Sequence, residues 1–257
     1  MNQTSPIAMI TGATSGIGRA CASLLASHGY RLIITGRRQE RLDAFVNAHP
    51  DTPIHTLCFD ISDRAACEKA IAELPEAFAA IDVLINNAGL ALGLERSHET
   101  DADQWDEMIA TNVRGLSMCT RAVLPGMIAR DRGYIINIGS TAGLYAYRGS
   151  NVYGGTKAFV HEFTRGLRSD LIGTHVRASC IAPALTETEF SQVRFSGDAE
   201  RAATVYDGLE VLQADDIAAT IWWLINTPAH MNVNFMEVMP TCQAPGGLAI
   251  EAPKKRA

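Results

Sequence analysis

No stretch of this sequence approaches the ~18 consecutive apolar residues that a membrane-spanning helix needs, and no Lys/Arg run occurs before the last few residues. With a net charge of −6, that balance argues against nucleic acid or an anionic membrane as the main partner. It leaves room for a small anion, because local arginines can outvote the global charge. The six cysteines, Cys21, Cys58, Cys67, Cys119, Cys180 and Cys242, form no C-x-x-C pair, so they read as reduced core residues and not as a disulfide framework. The seven histidines are dispersed, without H-E-x-x-H, and no metal site is read. Met1–Pro6 is polar and lacks a signal-peptide pattern; the expected location is cytoplasmic. Internal repeats and low-complexity linkers are absent too.

What is present is a regular alternation. At 257 residues and 47% apolar, the chain can bury a full-sized core. Ile7–Ile10, Arg31–Thr35, Ile54–Phe59, Asp82–Asn86 and Gly133–Gly139 read as strands. Between them, Ile17–His28, Gln39–Ala48, Arg64–Leu74 and Ala102–Arg130 carry apolar residues at helical spacing. Val152–Ile172 and Asp215–Asn226 read as further helices, Val176–Ile181 and Asn234–Val238 as strands. The strands are apolar nearly throughout, as in a parallel sheet covered on both faces. The expectation is one α/β domain over 1–250, Rossmann-like and doubly wound, with a mostly parallel seven-stranded sheet. Residues 183 to about 210 form a candidate substrate loop, irregular at least to Val205, and 251–257 a frayed tail.

Thr11–Gly18 reads TGATSGIG between a strand and a helix. Gly12, Gly16 and Gly18 allow a tight turn and close approach of a pyrophosphate to the helix N-terminus, flanked by Thr14, Ser15 and Ile17. The spacing G-x-x-x-G-x-G differs from the commoner G-x-G-x-x-G. The second strand runs into Thr35-Gly36-Arg37-Arg38, without the acid that would bind a ribose 2′-OH. Two guanidiniums, Arg37 and Arg38, suit a 2′-phosphate and point to NADP(H). Tyr153 and Lys157, four apart, share a helix face. A phenol titrates near ~10 in water, so an adjacent ammonium is the obvious means of lowering it.

TGATSGIG, the NNAG run ending at Gly89, Asn112, Ser140 in INIGS, and Tyr153 with Lys157 occur in that order. Together they resemble the short-chain dehydrogenase/reductase family over essentially the whole chain. The resemblance implies that Ser140 hydrogen-bonds the substrate oxygen and Tyr153 passes the proton. It implies that Lys157 holds the ribose and lowers the Tyr153 pKa, while Asn112 positions a water. Asn87, Ala88 and Gly89 would line the cofactor, and Asp60 and Ile61 would touch the adenine. Pro183, Leu185, Thr186 and Thr188 would border the nicotinamide or phosphate. A homotetramer through helices 102–130 and 151–172 is also implied.

Segments such as RAVLPGM, NVYGGTKAF and TEFSQVRFSGD are similar to one branch, the NADP-dependent 3-hydroxy acid (serine or L-allo-threonine) dehydrogenases and sulfoacetaldehyde reductases. Both take small acids, so Arg194 and Arg148 are candidate anion clamps alongside Ser140 and Tyr153; the alternative is that Arg148 points to solvent. Ala182-Pro183-Ala184 stands where the branch typically has Glu-Pro-Gly. A lost carboxylate and an added guanidinium favour a sulfonate, hence sulfoacetaldehyde reduction to isethionate. The alternative is a 3-hydroxy acid dehydrogenase acting on L-allo-threonine, L-serine or 3-hydroxypropionate. A non-catalytic NADP sensor shares the glycine loop but has no use for Ser140, Tyr153, Lys157 and Asn112 together.

Overall fold

The computed structural model describes residues 5–195 and 197–245; the tail expected over 251–257 lies outside them. The first half alternates β1 Ile7–Ile10, α1 Gly16–Ser27, β2 Arg31–Gly36, α2 Gln39–Ala48, β3 Ile54–Cys58, α3 Arg64–Ala72 and β4 Val83–Asn86. It continues through α4 Ala102–Ile109, a π-helical turn Ala110–Gly115, α5 Leu116–Ala129, β5 Gly133–Ile138, α6 Asn151–Asp170 and β6 Val176–Pro183. The remaining elements are β7 Thr186–Glu187, α7 Phe190–Arg194, α8 Ala199–Thr204, β8 Leu212–Gln213, α9 Ala214–Ile225 and β9 Phe235–Val238.

Seven strands form one sheet in the order β3-β2-β1-β4-β5-β6-β9, and every pairing in it is parallel. Side chains alternate between its faces. Ala8, Ile10, Leu32, Ile34, Val83, Ile85, Tyr134 and Ile136 pack on one side with Leu25 of α1, Leu42 of α2 and Ile221 of α9. Met9, Ile33, Leu84 and Ile135 pack on the other with Cys67 of α3, Met127 of α5 and Leu167 of α6. Burial on both faces is why the strands read as unbroken apolar runs. Chain order reverses between β1 and β4, and a doubly wound sheet opens a crevice at the carboxyl ends of such strands.

Two segments differ from the sequence reading. The single helix expected over 102–130 is interrupted by the π turn, which carries Asn112. Gly115 at its end lies against the Ile61 carbonyl, which a Cβ there would meet at 2.9 Å. The stretch after Pro183 is not irregular: β7 pairs with β8 in a separate two-stranded sheet, and α7 and α8 lie between them. These elements are too short for a period to show.

Candidate active site

The loops leaving β1, β2, β3, β4, β5 and β6 converge on a cleft of about 540 Å³. Its floor is the glycine loop. Gly12 and Gly16 sit at φ +68° and +51°, and a Cβ on Gly12 would stand 2.9 Å from Ala88 Cα. Thr11 Oγ1 accepts from the Asn87 and Ala88 N–H groups, each at 3.0 Å. Asn87 Nδ2 donates to the carbonyls of Thr11 and Gly12 at 2.9 and 3.1 Å. The NNAG turn therefore clamps the loop as well as lining the cleft. Gly18 does not reach the cleft: a Cβ there would collide with Asn87 Nδ2 and the Gly12 carbonyl, both at 2.4 Å. It packs the start of α1 against the Asn87 amide and the Gly12 carbonyl.

Gly12, Thr14, Ser15, Gly16, Ile17, Arg37, Arg38, Asp60, Ile61, Asn87, Ala88 and Gly89 all line the cleft. Pro183, Leu185, Thr186 and Thr188 border it on the far side, with Thr188 packed on Gly16. Backbone strain at Ala184 does not arise, since Asp131 is the only non-glycine with positive φ among the described residues. The two arginines after β2 diverge. Arg37 faces Asp60 at 3.4 Å, whereas Arg38 donates to Thr14 Oγ1 at 2.9 Å and Ser15 Oγ at 3.0 Å. Arg38 also pairs with Glu189 at 3.1 Å, and Glu189 with Arg41 at 2.7 Å. Sequence reading missed Arg41 and Glu189; Arg41 lies within one helical turn of Arg37 and Arg38, a signal that was there to be used.

At the other end of the cleft stand Ser140, Tyr153 and Lys157. Ser140 caps a single 3₁₀ turn, its Oγ accepting from Ala142 N–H at 3.1 Å, and its own N–H points at His161 Nε2 at 3.4 Å. His161, buried on α6, is held down to about 4 chiefly by desolvation, with Lys157 and Arg165 adding to it. It is therefore a neutral acceptor beneath the serine. Lys157 Nζ donates to the Ile138 carbonyl at 2.8 Å, and burial lowers it to about 8. Burial pushes the Tyr153 phenol up to about 12, against a hydrogen bond with Ser140 and the charge of Arg194. The lysine, 5.9 Å from the tyrosine ring centroid, is not among the groups that lower it here. Its ammonium is directed at Ile138, and Ser140 and Arg194 oppose the effect of burial without overcoming it.

Asn112 does not line the cleft. Its amide spans both backbone groups of Leu90, accepting from N–H at 2.9 Å and donating to C=O at 2.8 Å, and donates to Thr156 Oγ1 at 3.1 Å. A Cβ on Gly89 would stand 3.2 Å from Asn112 Oδ1 and 3.4 Å from Lys157 Nζ, so the π turn meets the lysine at that glycine.

The two substrate arginines separate cleanly. Arg194 enters the cleft, donating to Tyr147 Oη at 2.6 Å and lying 5.3 Å from the Tyr153 ring centroid. Its Nε is buried without a partner among the described residues. Arg148 is exposed and absent from the cleft wall, because Tyr147 takes the inward direction and the next side chain turns out. Ala182 is fully buried within β6 and does not line the cleft either. Tyr147, which sequence reading missed, is the second polar group at Arg194. Among the described residues no cluster of His, Cys, Asp and Glu could hold a metal ion, and no helix is long and apolar enough to cross a membrane.

A glycine-loop crevice at the sheet's switch point, with a half-buried serine and a buried tyrosine and lysine at its far end, defines a dinucleotide-dependent oxidoreductase. The chain belongs to the short-chain dehydrogenase family, whose pattern it matches over residues 6–199. It is 50% identical over 248 residues to a probable NADP-dependent dehydrogenase of Haemophilus influenzae, covering 96% of this chain and 98% of that one. It is 49% identical over 245 residues to the NADP-dependent 3-hydroxy acid dehydrogenase YdfG of Salmonella typhi, covering 95% and 98%. A solved serine dehydrogenase, in a closed form complexed with NADP+, superposes with a TM-score of 0.91 at 46% identity, covering 96% and 100%. The protein is an NADP(H)-dependent oxidoreductase acting on CH–OH groups.

Proposed function

We propose that the protein is a 3-hydroxy acid dehydrogenase, interconverting the 3-hydroxyl of a small acid such as L-serine, L-allo-threonine or 3-hydroxypropionate with the carbonyl. One observation carries this reading: Arg194 lies beside the Tyr153 ring with a buried Nε that has no partner among the described residues, and such a guanidinium suits a substrate carboxylate. The relatives' activities support the same class. The sulfonate reading draws on a second cleft arginine, and Arg148 is exposed and off the cleft wall.

In this reading Ser140 Oγ and the Tyr153 hydroxyl hold the substrate oxygen, and Tyr153 moves the proton. A phenol held at about 12 is protonated in the free enzyme, ready to donate during carbonyl reduction. In the oxidising direction it must be lowered, and Arg194 and Lys157 are the cations within reach. The cofactor supplies or accepts the hydride. Lys157 would hold its ribose, Arg38 its 2′-phosphate, and Asn112, through Leu90 and Thr156, keeps the wall behind Lys157 in place. The exposed Ile109, Ile128 and Phe159 of α4, α5 and α6 favour the homotetramer, which light scattering of the purified chain would read.

Steady-state kinetics with NADP+ and L-serine, L-allo-threonine or 3-hydroxypropionate, and with NADPH and sulfoacetaldehyde, test the assignment. A carboxylate should give the highest kcat/KM. Clear preference for sulfoacetaldehyde would overturn the assignment and leave the reaction class intact.

A further inference from the structure

Two guanidiniums and one carboxylate close over the glycine loop from distant parts of the chain. Arg38 spends Nε and Nη2 on Thr14 and Ser15 and donates through Nη1 to Glu189 Oε2 at 3.1 Å. Arg41 Nη1 donates to both Glu189 oxygens, at 2.7 and 2.8 Å. These two arginines hold the Glu189 carboxyl below the usual range against its partial burial. Glu189 lines the cofactor cleft, and Arg41 stands behind it. A carboxylate and a phosphate monoester seek the same guanidinium donors. Two anions at one pair of cations repel, so their binding there is competitive. Glu189 also immediately precedes α7, whose Phe190 ring lies 5.6 Å from that of Tyr153 and whose last residue is Arg194.

We propose that Glu189 is an internal occupant of the cofactor's 2′-phosphate subsite, and that the phosphate displaces it from Arg38 and Arg41, freeing α7 to adjust over the substrate. Arg41 thereby joins Arg38 in selecting NADP(H) over NAD(H). Selection of the cofactor is coupled to the segment bearing the substrate-facing Arg194. The inference rests on NADP dependence and is independent of which hydroxy acid is turned over.

Calorimetric titration of 2′,5′-ADP and 5′-ADP, without substrate, tests it. Glu189→Gln should bind 2′,5′-ADP about two- to fivefold more tightly than the wild type, the range of a partly exposed ion pair, with 5′-ADP unchanged. Arg41→Ala should weaken 2′,5′-ADP about tenfold and leave 5′-ADP alone. Equal or weaker 2′,5′-ADP binding by Glu189→Gln overturns the proposal. Hydrogen exchange on the unaltered protein gives a reading that needs no variant: 2′,5′-ADP, but not 5′-ADP, should speed exchange across 189–195. Unchanged or slower exchange there overturns it as well. A wild type that ignores the 2′-phosphate would remove the subsite itself.

Discussion

Single side chains decide what this cleft accepts. Arg194 and Arg148 are both candidate clamps in the sequence, with a solvent-facing alternative for Arg148, and only Arg194 of the two reaches the pocket, beside Tyr147 and the ring of Tyr153. A charge-assisted hydrogen bond is worth about 1.5–3 kcal/mol. Arg194→Ala should therefore raise KM for a hydroxy acid roughly 10- to 100-fold, with NADPH affinity unchanged. Arg148→Ala should leave both constants within about twofold, as surface substitutions do. Steady-state kinetics on the two variants side by side checks this, and equal effects would contradict the geometry. The tyrosine itself is legible in the sequence through the ordered set of TGATSGIG, NNAG, Asn112 and Ser140 that accompanies its pair with Lys157. The groups that tune it, Ser140, Tyr147 and Arg194, are brought in by folding.

The elements were legible wherever a period had room to repeat. Each of the seven main-sheet strands appeared in the sequence, and their unbroken apolar runs follow from coverage on both faces. The π turn at Ala110–Gly115 did not appear, since one extra residue in a turn leaves the surrounding helical spacing nearly intact. Its consequence is local and large. The Asn112 amide satisfies the buried Leu90 N–H and C=O together. Asn112→Ala would leave both unpaired and should cost about 2–3 kcal/mol, lowering Tm by roughly 5–10 °C. Thermal unfolding followed by circular dichroism measures it; a shift within a degree of the wild type would mean that the turn is not held by this side chain. The pairs linking remote segments, Arg41 with Glu189 and Arg194 with Tyr147, carry no periodic signal. They lie 148 and 47 residues apart.

At the scale of the whole molecule, buried His161 makes stability depend on pH on the acid side. His161, facing the Ser140 N–H, Lys157, Arg165, Cys180 and Phe235, is held down to about 4 from an ordinary 6.5. The unfolded chain takes up that proton near 6.5, the folded one only near 4. Stability from this group is thus complete above about pH 6.5 and is lost as pH falls toward 4, by on the order of 2 kcal/mol. Urea unfolding at pH 7 and pH 4.5 should show a smaller acid loss in His161→Gln than in the wild type, even though the variant starts lower. Identical losses would mean that His161 is not a source of the slope.

The clamp between Thr11 and Asn87 also governs the order of assembly. Its partners lie 76 residues apart, and β1 pairs with β2 on one edge and β4 on the other. A chain emerging from its N-terminus can form the β1–α1–β2 unit early, with Arg38 bonded to Thr14 and Ser15, but the Thr11 end of the glycine loop gains its Asn87 clamp only when β4 docks. Closing so long a loop is entropically costly and slow. Cofactor affinity should therefore arise late, when the centre of the sheet closes.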